Sequence, residues 1–97
     1  MPFQSFFKSI FLKTFHALSR KEQTLITGAL EGVRSYLMTG EAPFGLRIKK
    51  IHEQGRLKVF EARASADLRV IWVQENEEIT FSLIGNHEDA RRFIKNF

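Results

Sequence analysis

Residues 57–94 read LKVFEARASADLRVIWVQENEEITFSLIGNHEDARRFI. Three apolar runs follow one another there, at 57–64, 68–74 and 78–84. They are rich in β-branched and aromatic residues, and the short polar steps Ser65-Ala66-Asp67 and Glu75-Asn76-Glu77 separate them. Connections this short join antiparallel neighbours, so the stretch predicts a small antiparallel sheet. The middle run is apolar on both faces: Leu68, Val70 and Trp72 alternate with Ile71 and Val73. A half-buried strand alternates apolar with polar residues, so this strand needs cover on both sides. That cover is either the last helix or a second protein.

Upstream, the periodicity changes from two to about 3.6. Ile10, Phe11, Leu12, Phe15 and Leu18 predict a helix over 9–18. Ser19 with Glu22 three residues on forms a capping box, and Leu25, Ile26, Ala29, Leu30, Val33 and Leu37 carry a second helix toward Gly40. Residues 3–7 form a short first strand, and residues 44–51 an extended basic connector. Asn86 caps a short C-terminal helix over 87–96. The expected fold is α+β: an N-terminal helical hairpin packed on a small antiparallel sheet, with a short C-terminal helix.

Ninety-seven residues suit one domain, 1–97, and ten phenylalanines supply core material. The chain has no cysteine, which excludes disulfides and thiolate metal sites and fits a reducing, cytoplasmic setting. His16, His52 and His87 lack ligand-like spacing, so no metal is expected. The net charge of +4 favours an anionic partner. Basic residues concentrate between Arg47 and Arg69, while Glu75, Glu77 and Glu78 cluster in a turn. Phe7, Ile10, Phe11 and Phe15 could make a membrane-surface helix. The favoured reading packs that face on the domain's own sheet and expects no membrane partner.

The candidate chemistry sits on the strands. Side chains two apart share a face, so Glu61 and Arg63 point the same way, and a turn centred on Ala66 sets Arg63 opposite Arg69. Like charges facing one another need an anion between them or a carboxylate beside them. One reading is an arginine clamp for phosphate. The plainer one, favoured on the residues alone, is neutralisation by Glu61 or Asp67. His87 stands where the third strand ends, and an imidazole is the side chain suited to proton transfer near neutral pH. Arg91, Arg92 and Lys95 read as a solvated helix face, and Met38 and Trp72 as core.

These motifs, in this order, resemble the RelE/ParE superfamily of bacterial and archaeal toxins from type II toxin–antitoxin modules. FLKTFHALSRKEQTLITGALEGV looks like the family's helical hairpin, and FGLRIKKI like its basic connector. FEARASADLRVIWV is similar to its central strand pair, and IGNHEDARRFI to its closing strand and tail. The resemblance implies a RelE-like toxin: an mRNA endoribonuclease that needs the ribosome, uses no metal or other cofactor, inhibits translation, and is held by an acidic antitoxin from a neighbouring reading frame. It matches Arg63, Arg69 and His87 to catalytic positions; a nuclease would add Glu61 or His87 as general base, and Arg47, Lys49, Lys50 and Lys58 to bind RNA. The alternatives are a ParE-like toxin that acts on DNA gyrase by protein binding, or an inactive interaction module. Phe93 stands near the family's terminal tyrosine, Leu68 where tyrosine is common, and Val59 and Glu61 where basic residues are usual.

Overall fold

A computed structural model describes residues 3–43 and 45–97. In chain order the elements are β1 (Gln4–Phe7), α1 (Ser9–Ala17), α2 (Arg20–Thr39), β2 (Lys49–Gln54), β3 (Leu57–Arg63), β4 (Arg69–Glu75), β5 (Glu78–Gly85) and α3 (His87–Lys95). The strands form one five-stranded sheet in the order β1-β5-β4-β3-β2. Strands β2 to β5 make an antiparallel meander that walks back across the sheet until β5 lies beside β1, which it meets in parallel. That parallel pairing departs from the all-antiparallel expectation.

Helix α2 begins as its sequence predicts. Ser19 Oγ accepts from the Glu22 backbone N–H at 3.1 Å, and Glu22 Oε1 accepts from the Ser19 N–H at 3.1 Å. Two otherwise orphaned donors are satisfied at once. The helix ends at Gly40, whose φ of +80° is the left-handed cap that glycine adopts without strain. Helix α1 packs on β5, and α2 on β3 and β4. Their inward residues Phe11, Ile26, Ala29 and Val33 meet Ala62, Val70, Trp72, Ile79, Phe81 and Ile84 from the sheet. Phe60 stacks on Trp72 across the strand pair, with ring centroids 5.5 Å apart.

The opposite face of β4 is covered by α3, so the last helix of the chain supplies the missing cover. Ala90 packs onto Val59 and Ile71, with Ile51, Val73, Leu83, Phe93 and Ile94 around them. A bulge makes this two-sided arrangement work. The β4–β5 register shifts after Ile71, which pairs with Leu83, whereas Trp72 pairs with Phe81. Ser82 is the extra residue, and it reverses which alternate side chains face each way. Ile79, Phe81 and Ile84 therefore join one core while Leu83 joins the other.

Three expectations need correcting. The connector is partly a strand: β2 pairs with β3 through a two-residue turn, Gly55-Arg56, with Gly55 at φ +60°. Phe44, which opens that connector, lies outside the described residues. The face of α1 is only partly packed; Phe11 is buried, but Ile10 and Phe7 are exposed, as is Leu12. Met38, on the last turn of α2, is exposed as well, whereas its neighbour Leu37 packs against the main core. No helix is long and apolar enough to cross a membrane among the described residues.

The two surfaces should respond differently to truncation. Ile71→Ala is expected to lower the unfolding free energy by about 2–5 kcal/mol, as for a large aliphatic residue removed from a packed interior. Ile10→Ala should stay within about 0.5 kcal/mol of the parent. Urea denaturation followed by circular dichroism measures both, and a large loss for Ile10→Ala would show that α1 buries more than the structure places there.

Candidate functional site

The register sets two rows of side chains on the α3 face of the sheet. One runs Lys49, Glu61, Ile71 and Leu83; the next runs Arg63, Arg69 and Gly85. Arg63 thus lies opposite Arg69, as the turn length implies. Glu61 and Arg69 are both buried, at 3% and 7% exposure. Arg69 Nε stands 3.2 Å from Glu61 Oε1, and Lys49 Nζ stands 3.8 Å from Glu61 Oε2. Neutralisation by Glu61, the plainer of the two sequence readings, is therefore present. The contact is one of charge and proximity, for Arg69 Nε–H has no aligned acceptor.

Helix α3 closes over this row. Asn86 Oδ1 accepts from the Asp89 N–H, and Asp89 Oδ2 accepts from the Asn86 N–H, each at 2.9 Å. This second capping box starts the helix one residue after β5 ends. Gly85 permits the tight exit: a Cβ there would fall 2.6 Å from the Asp89 side chain. His87, Arg91 and Lys95 recur every four residues and so share a face of α3. With Lys49, Ile51, Glu61, Ala90 and Ile94 they line a cleft of about 350 Å³ between α3 and the β2–β3 hairpin. A carboxylate forms part of its wall, and Lys49, Arg91, Lys95 and the exposed His87 surround it.

The structure gathers some of the sequence-predicted residues and scatters others. Lys49, Glu61 and His87 meet in the cleft. Arg69 lies behind Glu61 and does not line it. Arg63 is half-buried and borders a separate shallow pocket, beside Thr24, Gly28, Pro43 and Leu46; its backbone N–H donates to the Leu46 carbonyl at 2.7 Å. Lys50 and Lys58 share register with the other face of the sheet. Lys50 bonds Glu53, and its hydrogen bond and charge, aided by Lys58, hold the Glu53 carboxyl below its ordinary range. Arg47 is exposed in the connector at φ +50°. Sequence reasoning passed over Arg91 and Lys95 as cleft residues, although their four-residue spacing from His87 carried the signal. Phe93 packs into the smaller core beside Phe97 and brings no hydroxyl to the cleft. Among the described residues no group of three or more His, Cys, Asp or Glu side chains is placed to hold a metal ion.

No protein-family model and no curated protein matches the chain. Solved structures do. The chain has the fold of RelE-type toxins. It is similar to the toxin in the RelE–RelB complex of Pyrococcus horikoshii OT3, with a TM-score of 0.67 at 17% identity, covering 89% of this chain and 96% of that one. The YoeB dimer of Staphylococcus aureus gives a TM-score of 0.66 at 10% identity, covering 90% and 99%. A chain of the Escherichia coli DinJ–YafQ complex gives 0.64 at 12% identity, covering 90% and 96%. At these identities the likeness is one of fold.

Removing one partner of the buried pair should cost far more than removing an exposed one. Glu61→Ala strands the Arg69 charge, and a loss of about 3–5 kcal/mol is expected. Glu61→Gln keeps an acceptor and should lose less. Arg91→Ala, which breaks an exposed contact with Glu88, should change stability by under about 1 kcal/mol. Thermal and urea unfolding of the three variants test this order, and equal losses for Glu61→Ala and Arg91→Ala would contradict the burial of the pair.

Proposed function

We propose that this chain is the toxin of a type II toxin–antitoxin module and that it inhibits translation by cleaving mRNA on the ribosome. The observation that supports this most is the composition of the α3 cleft. A buried carboxylate, Glu61, stands beside an exposed imidazole, His87, among three cations that can hold RNA phosphates. Likeness to toxins of the RelE, YafQ and YoeB kinds supports the same reading over a gyrase-directed one.

In the proposed reaction the RNA 2′-hydroxyl attacks the adjacent phosphorus. Glu61 accepts its proton, and His87 in its protonated form donates one to the departing 5′-oxygen, leaving a cyclic phosphate. Lys49, Arg91 and Lys95 grip the backbone, and Lys49 stands near the charge that develops on the phosphoryl oxygens. Arg69 acts through Glu61, which it orients from behind. Arg63 borders a separate pocket and takes no direct part in this step. The mechanism calls on no metal or organic cofactor. Its partners are the ribosome, mRNA and an acidic antitoxin, and its setting is the cytoplasm.

A second reading is favoured by Phe93 and by the engagement of Arg69 with Glu61: a toxin or module that works by protein contact alone. Induced expression in a bacterial host separates the two. The nuclease reading expects growth arrest with rapid mRNA cleavage, with cleavage reduced at least a hundredfold by His87→Ala and by Glu61→Gln, on the scale of a lost acid–base group at about 10²–10⁴. Both variants must first show parent-like circular dichroism. Arrest with intact mRNA and broken DNA would replace the nuclease with a gyrase-directed toxin. Absence of arrest would leave the interaction module.

A further inference from the structure

The two edges of the sheet are built differently. Strand β2 carries a bulge between Lys50 and His52 and two lysines, devices that discourage another strand from pairing there. Strand β1, QSFF, has no charge, no proline and no bulge, and all four residues are exposed. Phe6 and Phe7 are 49% and 43% exposed. Gln4 N–H donates to the Glu77 carbonyl and Lys8 N–H to the Phe81 carbonyl, so by alternation the N–H groups of Ser5 and Phe7 point outward, away from β5. The ends of this edge differ in sign. Gln4 borders a hollow with Glu75, Glu77 and Glu78, while Lys8 closes the other end. Among the described residues none of these four charges takes part in an ion pair.

We propose that β1 is a dimerisation edge and that its occupant is β1 of a second copy, paired antiparallel about a two-fold axis at Phe6. Within Gln4–Phe7 that register is the one in which both outward residues pair with β1 residues of the other copy. Ser5 and Phe7 of one copy exchange backbone hydrogen bonds with Phe7 and Ser5 of the other. The two Phe6 side chains meet at the axis, where facing side chains come closest. Each Lys8 falls opposite Gln4 of the other copy, on the same sheet face as Glu78, so unpaired cations meet unpaired acids at both ends. On the other face each Phe7 is set against the small Ser5, beside the apolar groove of about 480 Å³ that Leu30, Leu37, Met38 and Phe81 line with them. The interface is isologous, as a closed dimer requires, and it joins two five-stranded sheets into one. It is independent of the cleft, so its failure says nothing about nuclease activity.

Light scattering coupled to size exclusion, run on the full chain over a wide concentration range, tests the assembly. The expected particle has twice the 11.3 kDa chain mass and dissociates as salt rises. Phe6→Lys places like charges at the axis and should give a monomer with an unchanged far-ultraviolet spectrum. Lys8→Glu should weaken the dimer, and Lys8→Glu with Glu78→Lys should restore it. Amide exchange should show Ser5 and Phe7 protected in the parent and unprotected in Phe6→Lys. A parent that stays monomeric at every concentration overturns the proposal, even if an antitoxin strand occupies the edge. So does a dimer indifferent to both single variants, and a double variant no tighter than Lys8→Glu overturns the register.

Discussion

Strand β4 is buried on both faces, and the rest of the molecule is arranged around that constraint. Val70 and Trp72 need one apolar layer and Ile71 needs another, all three being fully buried. A single helical layer cannot serve both. Helices α1 and α2 cover the first face, and α3 must return across the second. Because α3 is short, it seals only the middle of that face, over Val59 and Ile71. The polar residues beside this apolar patch, Lys49 and Glu61 in the row of Ile71 and Arg69 in the next, are left under the edge of the helix. The cleft is thus a by-product of covering a two-sided strand with a nine-residue helix.

That origin explains the electrostatics. A carboxylate and a guanidinium at 3% and 7% exposure are tolerable only together, since either alone would be an uncompensated charge in a poorly solvated place. Their mutual neutralisation leaves Lys49, Arg91 and Lys95 as the excess charge of the cleft, so the positive field at its mouth comes from flexible, exposed side chains. The rigid part of the site is the carboxylate and the adaptable part is the cations. Such a division suits a polyanion with variable shape better than a small ligand with a fixed one.

Much of this was legible in the sequence. The Ser19–Glu22 capping box and the Asn86 cap are local signals, and the Arg63–Arg69 pairing followed from the length of one turn. The cover of β4 by the last helix was one of two options its doubly apolar pattern allowed. The hidden parts were those that depend on neighbours. Strand β2 is KKIHEQ, an edge strand with one apolar residue and a bulge, so period-two alternation is absent. The parallel partner of β1 is chosen by the whole meander. Arg63 and Arg69, which looked like one clamp, are drawn to different surroundings because Glu61 sits diagonal to one and the connector docks against the other. Exposed Ile10 and Met38 look like core in a helical pattern, because periodicity records a face and says nothing of how far the opposing layer extends.

The bulge at Ser82 carries a topological consequence. Alternation along a strand is a parity, and one extra residue inverts it for everything downstream. Before Ser82 the odd-numbered residues Ile79 and Phe81 belong to the α1–α2 layer; after it the even-numbered Ile84 does. Gly85 therefore leaves the sheet in phase with Leu83, on the side that α3 occupies. With an even count the same exit would aim at a layer that is already full. One serine in the middle of β5 thus acts as a routing element for the C-terminal helix, and length changes in this strand are tolerable only in compensating pairs.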